Sequence, residues 1–309
     1  MRQLLRVLGA VVSIFLIVLL ASFTFAFIQK MWFGKSSSKN HVAVVDLSGI
    51  ITNSVSFTRT LTDQLENKGT KAIIVRINSP GGVVGPSQEM YEAIRKADEK
   101  VPVIISMGPL AASGGYYAAL GGRKIFASPG TLTASIGVIM ELANTEKLYT
   151  WAKIERFTLK AGKFKDTGTP LRAMKPEEKE LLTAMLLDIH QQFRDTVKER
   201  RKLTDAELDG CADGRVMTGS QAKKAKLVDV LGGLEDAIHE AKQMAKLPED
   251  TEVTYPGQRE GLIKKLLLGS DEEETRFSGS LQKLGAGLSA LFSNEITPPW
   301  RVLLLAPVQ

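Results

Sequence analysis

Cysteine and histidine are scarce in this sequence. Its 309 residues contain one cysteine, Cys211, and three histidines, His41, His190 and His239. A single cysteine excludes an internal disulfide and any metal cluster held by several cysteines. The histidines are far apart in the sequence and have no evident catalytic partner nearby, so a Ser-His-Asp triad is not expected. Cys211 is interpreted as structural and His190 as an ordinary surface histidine.

Signals for nucleotides and nucleic acids are also missing. The sequence has no P-loop and no dinucleotide fingerprint. Its net charge of +6 is modest, and no stretch interleaves aromatic residues with a dense basic cluster, so nucleic acid is not indicated as a partner. With 44% apolar and 24% charged residues, the composition is that of a globular protein with room for one large domain or two small ones.

The longest apolar run lies near the amino terminus. Residues 7–28 carry no charge, and a helix of these 22 residues would span a hydrocarbon core of roughly 30 Å. Trp32 and Phe33, which lie next to lysines, are typical of an interfacial anchor. The alternative is a cleaved signal peptide, whose apolar region is usually about 7–15 residues long and ends in an A-x-A-like site. We therefore predict a retained membrane anchor with its tether in residues 1–40. The flanking charges do not settle its orientation.

From residue 41 onward, short apolar strands alternate with amphipathic helices. The predicted strands are residues 42–47, 71–77, 103–107, 123–127, 137–140 and 153–159. The predicted helices are residues 57–67, 87–96, 113–120, 176–200 and 234–244. This alternation indicates an α/β protein with a parallel or mixed sheet covered by helices. The repeating unit is closer to strand–strand–helix than to a strict βαβ alternation.

A serine among small residues is the strongest candidate for chemistry. The stretch GPLAASGGYY, residues 108–117, follows a predicted strand and places Ser113 at the start of a helix. Small neighbours let a substrate backbone approach the hydroxyl, and free N–H groups at a helix N-terminus can stabilise an oxyanion. The alternative is a plain N-cap serine with glycines for packing. The residues alone leave both interpretations open.

A nucleophilic serine without histidine would need another base. The stretch LKAGKFKDTGTP, residues 159–170, has three lysines within six residues. Lysine clusters are usually solvated, and a free lysine, with a pKa of about 10.4, is a poor base at neutral pH. Desolvation or a nearby positive group can make a lysine a base. Gly162 and Gly168 bracket Lys165, which allows this backbone to press into a cleft.

Several stretches taken together resemble the SppA-type signal peptide peptidases. They are NSPGG at 78–82, MGPLAASGGYY at 107–117, LTASIGV at 132–138, GKFKD at 162–166, ADGRV at 212–216 and LVD at 227–229. They occur in order within residues 41–245, and the joint pattern is far more specific than any one stretch. The chain is about half the length of the tandem-repeat form and resembles the short form.

The resemblance implies a ClpP/crotonase-like α/β fold of repeated ββα units behind an N-terminal transmembrane helix, and a serine endopeptidase. At the matching positions, Ser113 would be the nucleophile and Lys165 the general base. Gly82 and Gly114 would supply the N–H groups of an oxyanion hole, and Ser135 would orient the lysine amine. No metal or other cofactor is implied.

One residue departs from the family pattern. Family members often have a glycine where this chain has Ala134. We expect the alanine to be tolerated and to narrow the adjacent pocket.

The resemblance also implies partners and a location. Its substrates would be cleaved signal peptides and other unfolded apolar segments. The short form implies a ring-like homo-oligomer in which the lysine is delivered across a subunit boundary. Residues 7–28 would place the protein in the bacterial inner membrane as a single-pass protein, with the catalytic domain on the extracytoplasmic side. The alternatives are a non-catalytic membrane scaffold and an acyl-CoA-binding crotonase-like protein.

The predicted organisation is an anchor at 1–40, a peptidase domain at 41–250 and a C-terminal extension at 251–309. The extension contains an apolar stretch at 262–268 and leucines at helical spacing further on. An oligomer-facing or edge-strand extension is the favoured interpretation. An amphipathic piece on the membrane surface is the alternative.

Overall fold

The computed structural model divides the chain into two units, residues 1–39 and residues 40–309. The parts that it describes are residues 17–20, 22–25 and 39–256 and the backbone of residues 303–305.

The predicted membrane anchor falls mostly outside the described residues. Of residues 7–28, the structure describes 17–20 and 22–25, which are helical. In the described part of the chain, no helix has both the length and the apolar character to cross a membrane. The anchor therefore stays a prediction.

A mostly parallel sheet of eight strands forms the centre of the second unit. Its strands are β1 (His41–Ser48), β2 (Thr70–Ser79), β4 (Val103–Ala112), β5 (Lys124–Ala127), β6 (Leu132–Ala134), β7 (Val216–Thr218), β8 (Val230–Leu231) and β9 (Glu252–Thr254). The order is β7-β6-β4-β2-β1-β9, with β5 beside β4 and β8 beside β5. β5 pairs with the first half of β4 and β6 with its last residues, so that β4 has a different neighbour at each end.

Helices cover both faces of this sheet. They are α1 (Val55–Glu66), α2 (Val84–Asp98), α3 (Gly114–Ala119), α4 (Glu146–Trp151), α5 (Pro176–Arg201), α6 (Asp205–Asp209), α7 (Gly219–Lys224) and α8 (Leu234–Met244). Val42 and Val44 of β1 pack in one core with Ile238 of α8, whereas Ala43 and Val45 pack in the larger core with α1, α2 and α5. Strands that are apolar on both faces are typical of a covered parallel sheet. The predicted α/β class is confirmed.

Two predicted strands were wrong. Neither residues 137–140 nor residues 153–159 form a strand. The backbone becomes left-handed at Ala134 and Ser135, where β6 ends, so residues 137–140 do not continue that strand. Residues 153–159 are exposed, Phe157 to 86% and Leu159 to 89%. An apolar pattern alone is therefore not enough to predict a strand.

A second, two-stranded sheet lies beside the main one. It consists of β3 (Gly81–Val83) and, antiparallel to it, β10 (Leu303–Leu305). One edge of β3 is bound to Ile51, whose N–H donates to the Gly81 carbonyl (2.9 Å) and whose carbonyl accepts from Val83 N–H (2.8 Å). β10 takes the other edge.

The main sheet extends beyond the predicted carboxyl-terminal limit of the peptidase domain, residue 250. β9, Glu252–Thr254, pairs with β1 in the main sheet, so the sheet extends past residue 250. The rest of the predicted extension lies outside the described residues, except for 255–256 and the backbone of 303–305. The pairing of 303–305 with β3 agrees with an edge-strand extension for those three residues.

Candidate active site

Ser113 lies where β4 ends and α3 begins. Its side chain is buried, and its Oγ has no hydrogen-bond partner among the described residues. Its backbone is in an unusual conformation for a residue with a side chain, with φ 53° and ψ −119°. Such a conformation costs about 1–3 kcal/mol and persists only where the surroundings hold it. Ser113 occupies the N-cap of α3, but its side chain makes no capping hydrogen bond, so the simple capping interpretation does not account for it.

Hydrogen bonds on both sides hold the Ser113 backbone in place. Its N–H donates to the Ala134 carbonyl (2.8 Å), and its carbonyl accepts from Tyr117 N–H (2.8 Å) in the first turn of α3. The first bond follows from the parallel pairing of β4 with β6, which places Ala112 beside Ala134. Two strands and a helix thus fix the position of one hydroxyl.

Gly82 and Gly114 bring two backbone segments together next to Ser113. A Cβ on Gly82 would lie 2.0 Å from the Ile51 carbonyl oxygen, and a Cβ on Gly114 would lie 2.4 Å from Ser87 Oγ. The position of that second Cβ is only 3.2 Å from Gly82 N, so β3 meets the first residue of α3 directly. A Cβ at either position would require its neighbours to shift.

The two glycine N–H groups belong to different elements, β3 and α3. Gly81 O and Val83 N bond Ile51, and alternate residues of a strand point to opposite edges, so Gly82 N–H faces the other edge of β3. Gly114 is the first residue of α3, where backbone N–H groups have no intrahelical acceptor. The Gly82 N–H thus faces the edge of β3 that pairs with β10, and the Gly114 N–H lies at the start of α3, directly after Ser113.

Ala134 and Ser135 follow one another with left-handed backbones, φ 63° and φ 52°. Both residues are buried, and Ser135 N–H donates to the Arg215 carbonyl (2.9 Å). Left-handed φ favours glycine, which gives a physical reason for the family's usual glycine at position 134. This chain instead has a methyl group there, on the residue whose carbonyl binds Ser113.

Lys165 lies apart from this cluster in the single chain. It is exposed on a series of turns, and since Ser113 Oγ has no partner among the described residues, the two side chains are not hydrogen-bonded. Lys165 lines a cavity of about 380 Å³ whose wall does not include Ser113. Most of that wall is apolar and comes from the residues Met140, Leu142, Phe164, Leu181, Leu182 and Met185.

The turns around Lys165 contain an ion network that sequence reasoning missed. Asp166 accepts from Lys160 and from Arg172, and Arg172 also donates to Glu178 of α5. Hydrogen bonds from Lys160 and Arg172 lower the pKa of the Asp166 carboxyl to about 2, and the bond from Arg172 does the same for the pKa of Glu178. The signal in the sequence was the regular interval of six residues between these four charges.

His190 was predicted to be an ordinary surface histidine, and this prediction was wrong. Its Nε2 lies 3.0 Å from the carbonyl oxygens of both Ile136 and Ala212, and the residue is half-buried. It is therefore not an ordinary surface histidine, because it ties α5 to the segments that follow β6 and precede β7. Helical periodicity alone cannot show such a contact between distant segments.

Cys211 has the structural role that was predicted. Its side chain is buried, burial raises the pKa of its thiol, and Sγ donates to the Glu207 carbonyl at 3.3 Å. Among the described residues, no group of three or more His, Cys, Asp or Glu is placed to hold a metal ion.

Comparison with known families defines the class of protein. The sequence profile of Clp protease matches residues 43–134, which contain most of β1, all of β2 to β6, and Ser113. The profile of Peptidase family S49 matches residues 95–248. Together with the mostly parallel sheet, these matches define a protease with a ClpP-like α/β fold.

Individual relatives agree with this class. A protein of Synechocystis sp. named "Putative protease" is 36% identical over 248 residues, which cover 79% of this chain and 89% of that protein. "Serine protease SPPA, chloroplastic" of Arabidopsis thaliana is 35% identical over 241 residues, which cover 74% of this chain and 36% of the relative. "Protease 4" of Salmonella typhi is 35% identical over 182 residues, which cover 58% of this chain and 29% of the relative. The chain spans about a third of the length of these last two.

The chain belongs to peptidase family S49. The resemblance to the SppA-type peptidases is thereby confirmed.

Proposed function

We propose that this protein is a membrane-anchored serine endopeptidase that uses Ser113 as its nucleophile and Lys165 as its general base. The observation that carries the proposal is the environment of Ser113. A buried hydroxyl without a partner in the described chain, on a strained backbone, lies beside Gly82 and Gly114. Strain of this kind is concentrated at functional sites.

The mechanism follows from these positions. The neutral Lys165 amine takes the proton of Ser113 Oγ, and the oxygen attacks a peptide carbonyl. Gly82 N–H and Gly114 N–H donate to the oxyanion, the charge that develops during the attack. The leaving amine takes the proton from Lys165, and water then hydrolyses the acyl-enzyme with the same lysine as base. Ser135 is proposed to orient the lysine amine. The reaction needs no metal or cofactor.

We propose further that Lys165 acts on Ser113 of a neighbouring subunit in a ring-like homo-oligomer. In one chain Lys165 is exposed and not bonded to Ser113. The segment that precedes it also exposes large apolar side chains, which a solvated surface would not favour and a subunit contact would cover. They are Leu148, Trp151, Ile154, Phe157 and Leu159.

The proposed substrates are cleaved signal peptides and other unfolded apolar segments. In support, the Gly82 edge of β3 pairs with an extended strand, β10. The cavity beside Lys165 has an apolar wall suited to an apolar side chain. An anchor in residues 7–28 of the bacterial inner membrane, with the catalytic domain on the extracytoplasmic side, would hold the site where signal peptides are released.

The test uses the full chain in detergent micelles with a synthetic signal peptide. Wild type is compared with Ser113→Ala, with Lys165→Ala and with Lys163→Ala as a matched control, since Lys163 is an exposed lysine of the same turns that pairs with Glu177. We expect cleavage by wild type and Lys163→Ala only, and partial recovery when the two inactive variants are mixed and reassembled. Cleavage that survives either of the first two substitutions would overturn the assignment.

A further inference from the structure

The turns that contain Lys165 are closed by one carboxylate. Asp166 directly follows Lys165, and its Oδ1 accepts from Lys160 at one end of the segment. Its Oδ2 accepts from Arg172 Nη2 (2.9 Å) and Nε (3.3 Å) at the other end. Because both ends bind the residue next to Lys165, the position of the lysine backbone depends on this carboxylate.

The closed segment is attached to the longest helix. Arg172 Nη1 donates to Glu178 Oε2 (2.8 Å), and its Nη2 donates to Glu178 Oε1. Glu178 lies in the first turn of α5, has a side chain only 2% exposed, and also accepts from Lys175 N–H (3.0 Å). A bidentate pair between Arg and a buried carboxylate has a defined geometry. Arg172 therefore joins the Lys165 turns to a rigid element.

The same contacts determine the net charge close to Lys165. Two anions, Asp166 and Glu178, are balanced by two cations, Lys160 and Arg172. The other charged pair of these turns, Lys163 with Glu177, is also balanced.

The other charged groups of the neighbouring segments are of both signs. The residues that line its cavity carry no ionisable group apart from Lys165 itself. On the neighbouring segments, the Glu146 carboxylate accepts from Ala173 N–H, and Glu141, Lys147, Lys179 and Glu180 are exposed or half-exposed.

We propose that Asp166 and Arg172 are positioning residues for the general base. They hold the Lys165 turns against α5. Because Asp166 pairs with Arg172, its carboxylate does not form an ion pair with the Lys165 amine. The amine must be neutral to accept a proton. The inference rests on the proposed function, because it assigns the two residues to the base of that reaction.

The test measures kcat/KM against pH for the full chain in micelles. Arg172→Met leaves two anions with one cation, which favours the charged amine, so the acidic limb of the profile should move to higher pH by about half a unit or more. Asp166→Asn leaves two cations with one anion, so the limb should move to lower pH by a similar amount. Arg172→Lys, which keeps the charge, should restore the position of the limb, with kcat roughly tenfold below wild type because the bidentate geometry is lost.

A second readout does not depend on activity. In the Ser113→Ala background, the rate at which an amine-reactive reagent labels Lys165 is followed against pH by mass spectrometry. As for the acidic limb of kcat/KM, the labelling curve of Arg172→Met should move to higher pH and that of Asp166→Asn to lower pH. Arg123→Met is the matched control, because it breaks the Arg123–Asp98 pair near the start of β4, the end away from Ser113, and should move neither curve.

The outcomes separate the two proposals. Two results would overturn this inference without affecting the serine mechanism. One is a lower kcat in Arg172→Met and Asp166→Asn with no shift of the acidic limb or of the labelling curve. The other is a shift in the same direction for both variants. Wild-type cleavage that does not depend on Ser113 would overturn the proposed function. In that case opposite labelling shifts would still support the charge balance around Lys165, and unmoved labelling curves would overturn both.

Discussion

Leu304 of β10 lies directly opposite Gly82 of β3 in an antiparallel pair. β10 thereby occupies the edge of β3 that faces away from Ile51, the edge to which Gly82 N–H points. An extended peptide whose carbonyl accepted from Gly82 N–H would have to use this same edge, because the opposite edge is bonded to Ile51. The carboxyl-terminal strand and a substrate are thus expected to compete.

Breaking this pairing should raise activity. Leu304→Pro removes a backbone N–H and disfavours strand pairing, and removal of residues 303–309 has the same effect. One hydrogen bond has a net value of about 1 kcal/mol, so we expect kcat/KM for short peptides to rise at least about fivefold. Leu304→Ala keeps the backbone donor and serves as the control. Equal kcat/KM for all four proteins would contradict competition at this edge.

The strained backbone of Ser113 should lower the free energy of unfolding. Ser113→Gly relieves a positive φ, which is worth about 1–3 kcal/mol, whereas the extra freedom of glycine in the unfolded chain costs about 0.4–1 kcal/mol. Ser113→Ala keeps the strain. We expect the glycine variant to unfold with a free energy about 1 kcal/mol higher than the alanine variant.

Denaturant unfolding of both variants measures this difference, and neither variant should cleave peptide. A glycine variant less stable than the alanine variant would show that the backbone at Ser113 is not strained.

The approach of β3 to α3 should be sensitive to a single methyl group. Gly114→Ala would place a Cβ 2.4 Å from Ser87 Oγ of α2 and 3.2 Å from Gly82 N of β3, so the first turn of α3 must shift away from both. Displacing one oxyanion donor should lower kcat about 100-fold.

Ser87→Ala in the same chain removes the closest atom of that clash. The double variant should therefore recover stability relative to Gly114→Ala, and a thermodynamic cycle should show a coupling of about 1 kcal/mol. Strictly additive effects would mean that the two residues are not in contact.

The ion network should make stability depend on acid. Contacts with Lys160 and Arg172 hold the pKa of Asp166 at about 2, and Arg172 holds the pKa of Glu178 at about 2, both below ordinary carboxyl values near 4. Between these values the unfolded chain binds protons that the folded chain does not. The stabilisation is therefore complete above about pH 5 and is lost as the pH falls towards 2.

We expect the free energy of unfolding to fall over this range, and to fall less steeply in Asp166→Asn/Glu178→Gln. Asp63→Asn, which changes an exposed carboxylate of α1, should keep the wild-type slope. Equal slopes for the double variant and wild type would contradict the lowered pKa values.

Local patterns in the sequence predicted most of the fold. The β-branched runs became β1, β2 and β4, and Pro176 opens α5 as predicted. Local patterns failed where pairing partners were needed. Residues 137–140 look like a strand but do not continue β6. The glycines of NSPGG lie in β3, which Ile51 binds through Gly81 and Val83. Pairing across many residues cannot be deduced from one segment.

Among the candidate site residues, too, local patterns were informative and contacts between distant segments were not foreseen. Ser113 stood out in the sequence because the small residues around it are contiguous. The contact of His190 with two distant carbonyls did not stand out, because it depends on how α5 packs against segments on either side of it.

The sequence by itself determined the chemical inventory of this protein, its family and its local elements, since periodicity and composition act over a few residues. Only the tertiary structure decided that Gly82 N–H lies beside Gly114, that Ser113 has a positive φ, and that Asp166 closes the turns around Lys165. These features arise from contacts between segments that are distant in the chain or folded by turns. Their geometry depends on packing and hydrogen bonding throughout the sheet and its helices, which no local pattern encodes.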